Sequence, residues 1–126
     1  MAHYIDGFVI PVPRSRLDEY KRVAEAASEN WKDHGALAYW ECVGDDLRVE
    51  GVRSFKDLAA ATDAETVVFA WVIFESRAAR DAANEKIVAD PRMTGLVDPE
   101  NPIFDTQRMA YGGFQALVES ENANSE

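Results

Sequence analysis

The segment Thr66-Val67-Val68-Phe69-Ala70-Trp71-Val72-Ile73-Phe74-Glu75 is apolar in both of its alternation sets. One set is Val67, Phe69, Trp71 and Ile73; the other is Val68, Ala70, Val72 and Phe74. β-Branched and aromatic residues dominate it, which makes it a strand. Successive side chains of a strand point to opposite sides. This strand therefore needs cover above and below. The helical segments elsewhere in the chain suffice for one side, so the expectation is that a second copy covers the other. That constrains fold and assembly and names no reaction.

The remaining elements follow from local signals. Residues 4–12 read as a strand, with Pro11 and Pro13 expected to end its pairing. Ser15 is a candidate helix cap, with Asp18 and Glu19 suiting the positive end of the dipole. The helix runs to about His34, where Gly35 stops it. Leu17, Tyr20, Ala24, Ala27 and Trp31 form its apolar stripe. A second strand covers 37–44, and a short helix is expected over Phe55–Ala61. After the strand at 66–75, Ser76 caps an alanine-rich helix from Arg77 to about Ala89, with Ala79, Ala82, Ala83 and Ile87 inward. Asp90-Pro91 ends it. A connector with Pro91, Pro99 and Pro102 runs to about Asp105, long enough to suggest a lid, a pocket wall or a partner contact. The last strand is 108–118. Two β-α-β units in this order make an α+β ferredoxin-like split βαβ sandwich, an antiparallel sheet with both helices on one face. The uncovered face of a monomer should be polar. The two-sided strand at 66–75 conflicts with that, and a two-fold dimer with sheets face to face removes the conflict. Residues 1–118 form the single domain; 119–126 are a polar tail expected to fray.

Six blocks carry a family resemblance: 4–13, Trp31–Leu37, Glu41–Asp46, Glu65–Phe69, Ala89–Met93 and Arg108–Phe114. In this order they resemble the YbaA-like DUF1428 family of small bacterial proteins of unknown function, over nearly the whole chain to about Val118. The resemblance implies a dimeric α+β barrel. It implies no established activity, substrate or catalytic residue. The wider dimeric α+β barrel superfamily includes cofactor-independent monooxygenases, isomerases and haem enzymes, but a shared fold does not fix function.

Few residues offer chemistry. His34 is a candidate general acid or base, or else a histidine bound to the last carbonyls of its helix. Glu41 is the only acid in the apolar stretch 36–43 and shares a strand face with Tyr39. A buried carboxylate needs a partner, so Glu41 is either functional or paired with an arginine such as Arg53 or Arg108. His34 and Glu41 are the candidate catalytic pair; Trp31, Tyr39 and Trp71 are the candidate pocket walls. Trp31, His34, Tyr39 and Glu41 are expected around one cavity between the first helix and the sheet. The row Arg77, Arg80 and Asn84 suits a carboxylate ligand or simply solvent. Asp6, Arg108 and Tyr111 are weaker candidates. Cys42 reads as a small buried hydrophobe, and a lone cysteine rules out an internal disulfide framework.

Charge and composition set the exclusions. The net charge of −10, from 23 acids and 13 bases, repels phosphate backbones and disfavours nucleic-acid binding. No apolar run approaches the ~20 residues of a membrane helix, and the N-terminus does not read as a signal peptide. A cytosolic protein is expected. Two histidines and one cysteine give no metal-ligand spacing. Gly112-Gly113 marks a bulge or a close backbone approach, not a phosphate loop. No cofactor is expected. Two functions remain: a cofactor-independent enzyme acting on a small, partly apolar molecule, or a non-catalytic dimeric module that binds a metabolite or protein.

Overall fold

Strand β1 (Tyr4–Pro13) pairs on one side with β3 (Glu65–Phe74) and on the other with β4 (Ala110–Gln115). Strand β2 (Ala38–Val43) lies beyond β3, giving the order β2-β3-β1-β4 with every pair antiparallel. This is the ferredoxin-like α+β arrangement, seen in a computed structural model that describes residues 2–121. Residues 122–126, most of the tail expected to fray, lie outside the described residues.

The two longer helices, α1 (Leu17–Asp33) and α3 (Arg77–Ala89), bury one set of β3. Val68, Ala70, Val72 and Phe74 are each at most 4% exposed. Val72 and Phe74 pack with Ala83 and Ile87 of α3, and Val68 with Ile10, Val12, Tyr20 and Ile103. Fully burying each valine, isoleucine or phenylalanine among them contributes about 1.5–3 kcal/mol. The other face carries Phe69, Trp71 and Ile73, with Trp40 of the neighbouring β2 paired to Trp71. The two indoles stack 5.9 Å apart at 4°. Helix α2 (Phe55–Leu58) reaches one end of this face, where Phe55 meets Phe69. Trp71 and Ile73 are half-buried and Val67, of the same parity, is buried, while Trp40 is 57% exposed and Phe114 62%. No helix among the described residues is long and apolar enough to cross a membrane.

Several local expectations are corrected. Pairing of β1 continues through Pro11 and Pro13, opposite Val67 and Glu65. Arg14 donates its N–H to Ala64 on the β3 side, so the alternate positions Pro11 and Pro13 turn their nitrogens to the β4 side. Strand β4 pairs only as far as Val9, and no ladder bond is lost there. Ser15 falls within a 3-10 turn, Arg14–Arg16, and α1 starts without a side-chain cap. Ser76 does cap α3, accepting from Ala79 N–H. Ala82 is exposed rather than inward, because the face of α3 is narrow and centred on Ala83 and Ile87. The short helix ends at Leu58 and the last strand begins at Ala110. Gly113 pairs regularly with Asp6 without a bulge, and a Cβ there would collide with the Tyr4 ring. Close approach therefore explains this glycine. Gly35 holds φ 115°, as a left-handed helix stop requires.

Candidate functional site

Glu41 lies on β2 with the parity of Tyr39, opposite Ala70 and Val72, so both side chains face α1. Tyr20, one turn into α1, packs against them. The Tyr20 hydroxyl donates to Glu41 Oε1, and the Tyr39 hydroxyl donates to Oε2 at 2.5 Å. Both carboxylate oxygens thus act as acceptors for phenols on two different elements. Burial, reinforced by the Glu41 charge, pushes both phenol pKa values far above the ordinary tyrosine range. Tyr20 and Tyr39 therefore remain neutral donors at any physiological pH.

This group forms part of the wall of a cavity of about 340 Å³ between the sheet, α1 and the 91–109 segment. The size is at the lower end of ligand sites. Phe8, Trp31, Val72, Met93 and Phe104 supply much of the apolar lining, and Trp31 packs edge-on to Tyr39 at 5.9 Å. Glu41 is the one charged side chain among the described residues that line it. The 91–105 connector closes the cavity with Met93, Leu96, Val97 and Phe104, which makes it a pocket wall. A 3-10 turn at Pro91–Met93 gives it structure of its own, and a second, Thr106–Arg108, follows it.

Three of the four residues expected around one cavity meet there: Trp31, Tyr39 and Glu41. His34 does not. It ends α1 and places Nε2 2.8 Å from Asp90 Oδ2. Asp90 also binds Arg92, which reaches Asp33 and the buried Asn30. Arg92, with help from His34, holds the Asp90 carboxyl far below the usual carboxylate range. This cluster ties the start of the connector to the end of α1. Trp71 is also absent from the cavity: its odd parity in β3 puts it on the opposite face, against Trp40. Neither arginine considered as a partner for Glu41 fills that role. Arg108 binds Glu65 at 2.8 Å through both terminal nitrogens, and Glu65 falls to about 2, chiefly through the Arg108 bonds. Cys42 is half-buried on the open sheet face, opposite Phe69.

A second polar group was only partly foreshadowed. Asp6 is 1% exposed in the middle of the sheet and receives a 2.7 Å bond from Arg80 of α3. Arg80 also reaches the Tyr111 hydroxyl at 2.9 Å and lies 4.8 Å from the Tyr4 ring centre. Three residues noted separately in the sequence, Asp6, Arg80 and Tyr111, thus converge. Their mutual hydrogen bonding marks a structural cluster.

A family model described as "Protein of unknown function (DUF1428)" matches residues 3–106. The chain belongs to the DUF1428 family. It is 40% identical over 116 residues to the uncharacterized protein YbaA of Escherichia coli K12, covering 92% of this chain and 97% of that protein. The YbaA of Shigella flexneri matches equally. Among solved structures, a NIPSNAP-family protein of unknown function from Agrobacterium tumefaciens aligns with a TM-score of 0.56 at 13% identity, over 90% of this chain and 87% of that one. A dimeric ferredoxin-like protein from an uncultured marine organism aligns at 0.55 and 12%, over 95% and 100%. At such identities the likeness establishes the fold alone. This DUF1428 member thus has a known fold class, and its chemistry must be argued from the cavity.

Proposed function

We propose that this protein is a cofactor-independent enzyme acting on a small, partly apolar molecule bound in the cavity, with Glu41 as proton acceptor and Tyr20 and Tyr39 as the donors that orient it. The observation that carries this reading is a single carboxylate, gripped by two neutral phenols, facing an otherwise apolar cavity of ligand size. A carboxylate fixed in place is a suitable general base. We also propose that the protein works as a homodimer, in the dimeric α+β barrel manner, through the sheet face of Phe69, Trp71, Trp40 and Phe114. That face is free of the two long helices, exposes large aromatic side chains, and belongs to a fold whose marine neighbour is described as dimeric.

A screen of small aromatic and aliphatic carbonyl, alcohol and amine compounds for turnover, with Glu41→Gln alongside, tests the enzyme reading. Turnover by the native protein that falls at least about a hundredfold in a folded Glu41→Gln variant is expected, the usual scale for a lost proton acceptor. Binding without turnover, equal in both proteins, would refute it. Occupation of both Glu41 oxygens by phenols also favours a second reading, the non-catalytic binding module. Its signature is ligand binding that needs Glu41 but yields no product.

A further inference from the structure

Glu41, Tyr20 and Tyr39 border two spaces, not one. On the far side lies a more open groove of about 380 Å³ between α1 and the free edge of β2. Tyr20, Ala24, Tyr39 and Glu41 line both spaces and form the partition between them. The two sides differ in chemistry. The cavity is apolar and rich in aromatic and methionine side chains. The groove carries Asp18 and Glu25 from α1, with Lys21 the single base among the described residues that line it.

A ligand that crosses this partition must satisfy both sides. Its body must be apolar and about one ring in size to fill the cavity. Its head enters a groove with three carboxylates against one ammonium. A carboxylate only accepts hydrogen bonds, and each Glu41 oxygen keeps acceptor capacity beside its phenol. Whatever meets Glu41 must therefore donate. An anionic head would face like charges in the groove and in the wider field of a chain carrying −10. A cationic head is attracted by both.

We infer that the substrate class is an amphipathic primary amine, with its apolar body in the cavity, its ammonium head in the groove between Asp18 and Glu25, and the atoms joining them beside Glu41. This inference rests on the cavity being the working site and adds the chemical class of its occupant. It also gives the groove a purpose that an apolar ligand confined to the cavity leaves unexplained.

Three probes that share a phenylethyl body and differ in the head group separate the possibilities: 2-phenylethylamine, 2-phenylethanol and 3-phenylpropionate. Isothermal titration at neutral pH and low salt should show the amine binding at least about tenfold tighter than the carboxylate, with the alcohol between. Molar salt should shrink that preference, because the groove acids are exposed and screened. The Asp18→Asn/Glu25→Gln double variant changes two exposed side chains and should keep the fold. It should bring amine and alcohol to nearly equal affinity. If the carboxylate binds as well as the amine, or if the double variant leaves the preference intact, the amine assignment is overturned while the cavity reading stands. If none of the three binds and no ligand enters the cavity, both readings fall.

Discussion

Arg80→Met should be among the most damaging single changes in this chain, and its cost should depend on pH. Asp6 is 1% exposed, lies between Val72 and Gly113 in the sheet, and relies on Arg80 at 2.7 Å. Burial already raises its pKa above the ordinary aspartate value, with Arg80 the main opposing influence. Without Arg80, the carboxylate cannot swing into water, because it belongs to the middle of a paired strand. It must stay charged and weakly partnered, or take up a proton. Protonating an ordinary carboxyl of pKa about 3.9 costs about 1.4 kcal/mol per pH unit above that value, or about 4 kcal/mol at pH 7. That caps the loss, and breaking a buried ion pair by removing one partner typically costs about 3–5 kcal/mol. The expected loss at pH 7 is therefore about 3–4 kcal/mol. The sign of the pH dependence follows from linkage: a carboxyl raised in the folded state contributes stability below about pH 4 and loses it as pH rises through the folded value. At pH 5 the same cap falls to about 1.5 kcal/mol. Urea unfolding at pH 5 and pH 7 measures both. Asp6→Asn combined with Arg80→Met should recover much of the loss, since no charge is then stranded. A loss under about 1 kcal/mol at pH 7, or an equal loss at both pH values, would refute the reasoning.

Other consequences are simpler to test. Arg108→Met should remove a contribution from Glu65, whose pKa of about 2 is depressed from 4.5. A depressed carboxyl stabilises above its unfolded value and loses that as pH falls. Native and variant acid-unfolding curves should therefore differ above about pH 4.5 and converge towards about pH 2, as followed by circular dichroism. Phe69→Glu should weaken the proposed dimer by about thirtyfold or more, the scale of an interface hot spot. Sedimentation at low micromolar concentration should then show a folded 14.0 kDa species, whereas an unchanged dimer would remove this face from the interface. His34→Ala should cost about 1 kcal/mol through the lost Asp90 bond and leave ligand affinity unchanged, as thermal unfolding with and without ligand would show. A lost ligand response would return His34 to the site.

The fold was legible because its strongest signals are periodic. The alternation of β3, the stripe of α1 and the caps and stops at Ser76 and Gly35 all act locally, and together they leave one topology. The open face was legible too, since neither long helix was left to cover Phe69 and Trp71, although the short helix α2 does set Phe55 against Phe69. What failed depended on direction in space. Pro11 and Pro13 stay paired because of which way their nitrogens turn, which composition does not reveal. Trp71 was grouped with Trp31 and Tyr39 by residue type, although its parity in β3 opposes that of Tyr39 in β2 once the register is known. His34 follows Trp31 by three residues, yet the helix end turns it towards Asp90, a partner 56 residues away. Glu41 and Tyr39 were singled out from their shared face. Tyr20 was read as core, and only the packing of α1 on β2 makes it the second donor to Glu41.

Entry of small molecules into the cavity beside Glu41 is the central claim to test. Methyl-labelled methionine NMR observes this directly, because Met93 and Met109 line that cavity and neither lies on the open sheet face. On titration with 2-phenylethylamine, both methyl signals should shift to saturation in the native protein, with a markedly weaker response in a folded Glu41→Gln variant. Methyl signals that stay put while indole signals of Trp40 and Trp71 move would contradict the account and place ligand binding on the exposed face instead.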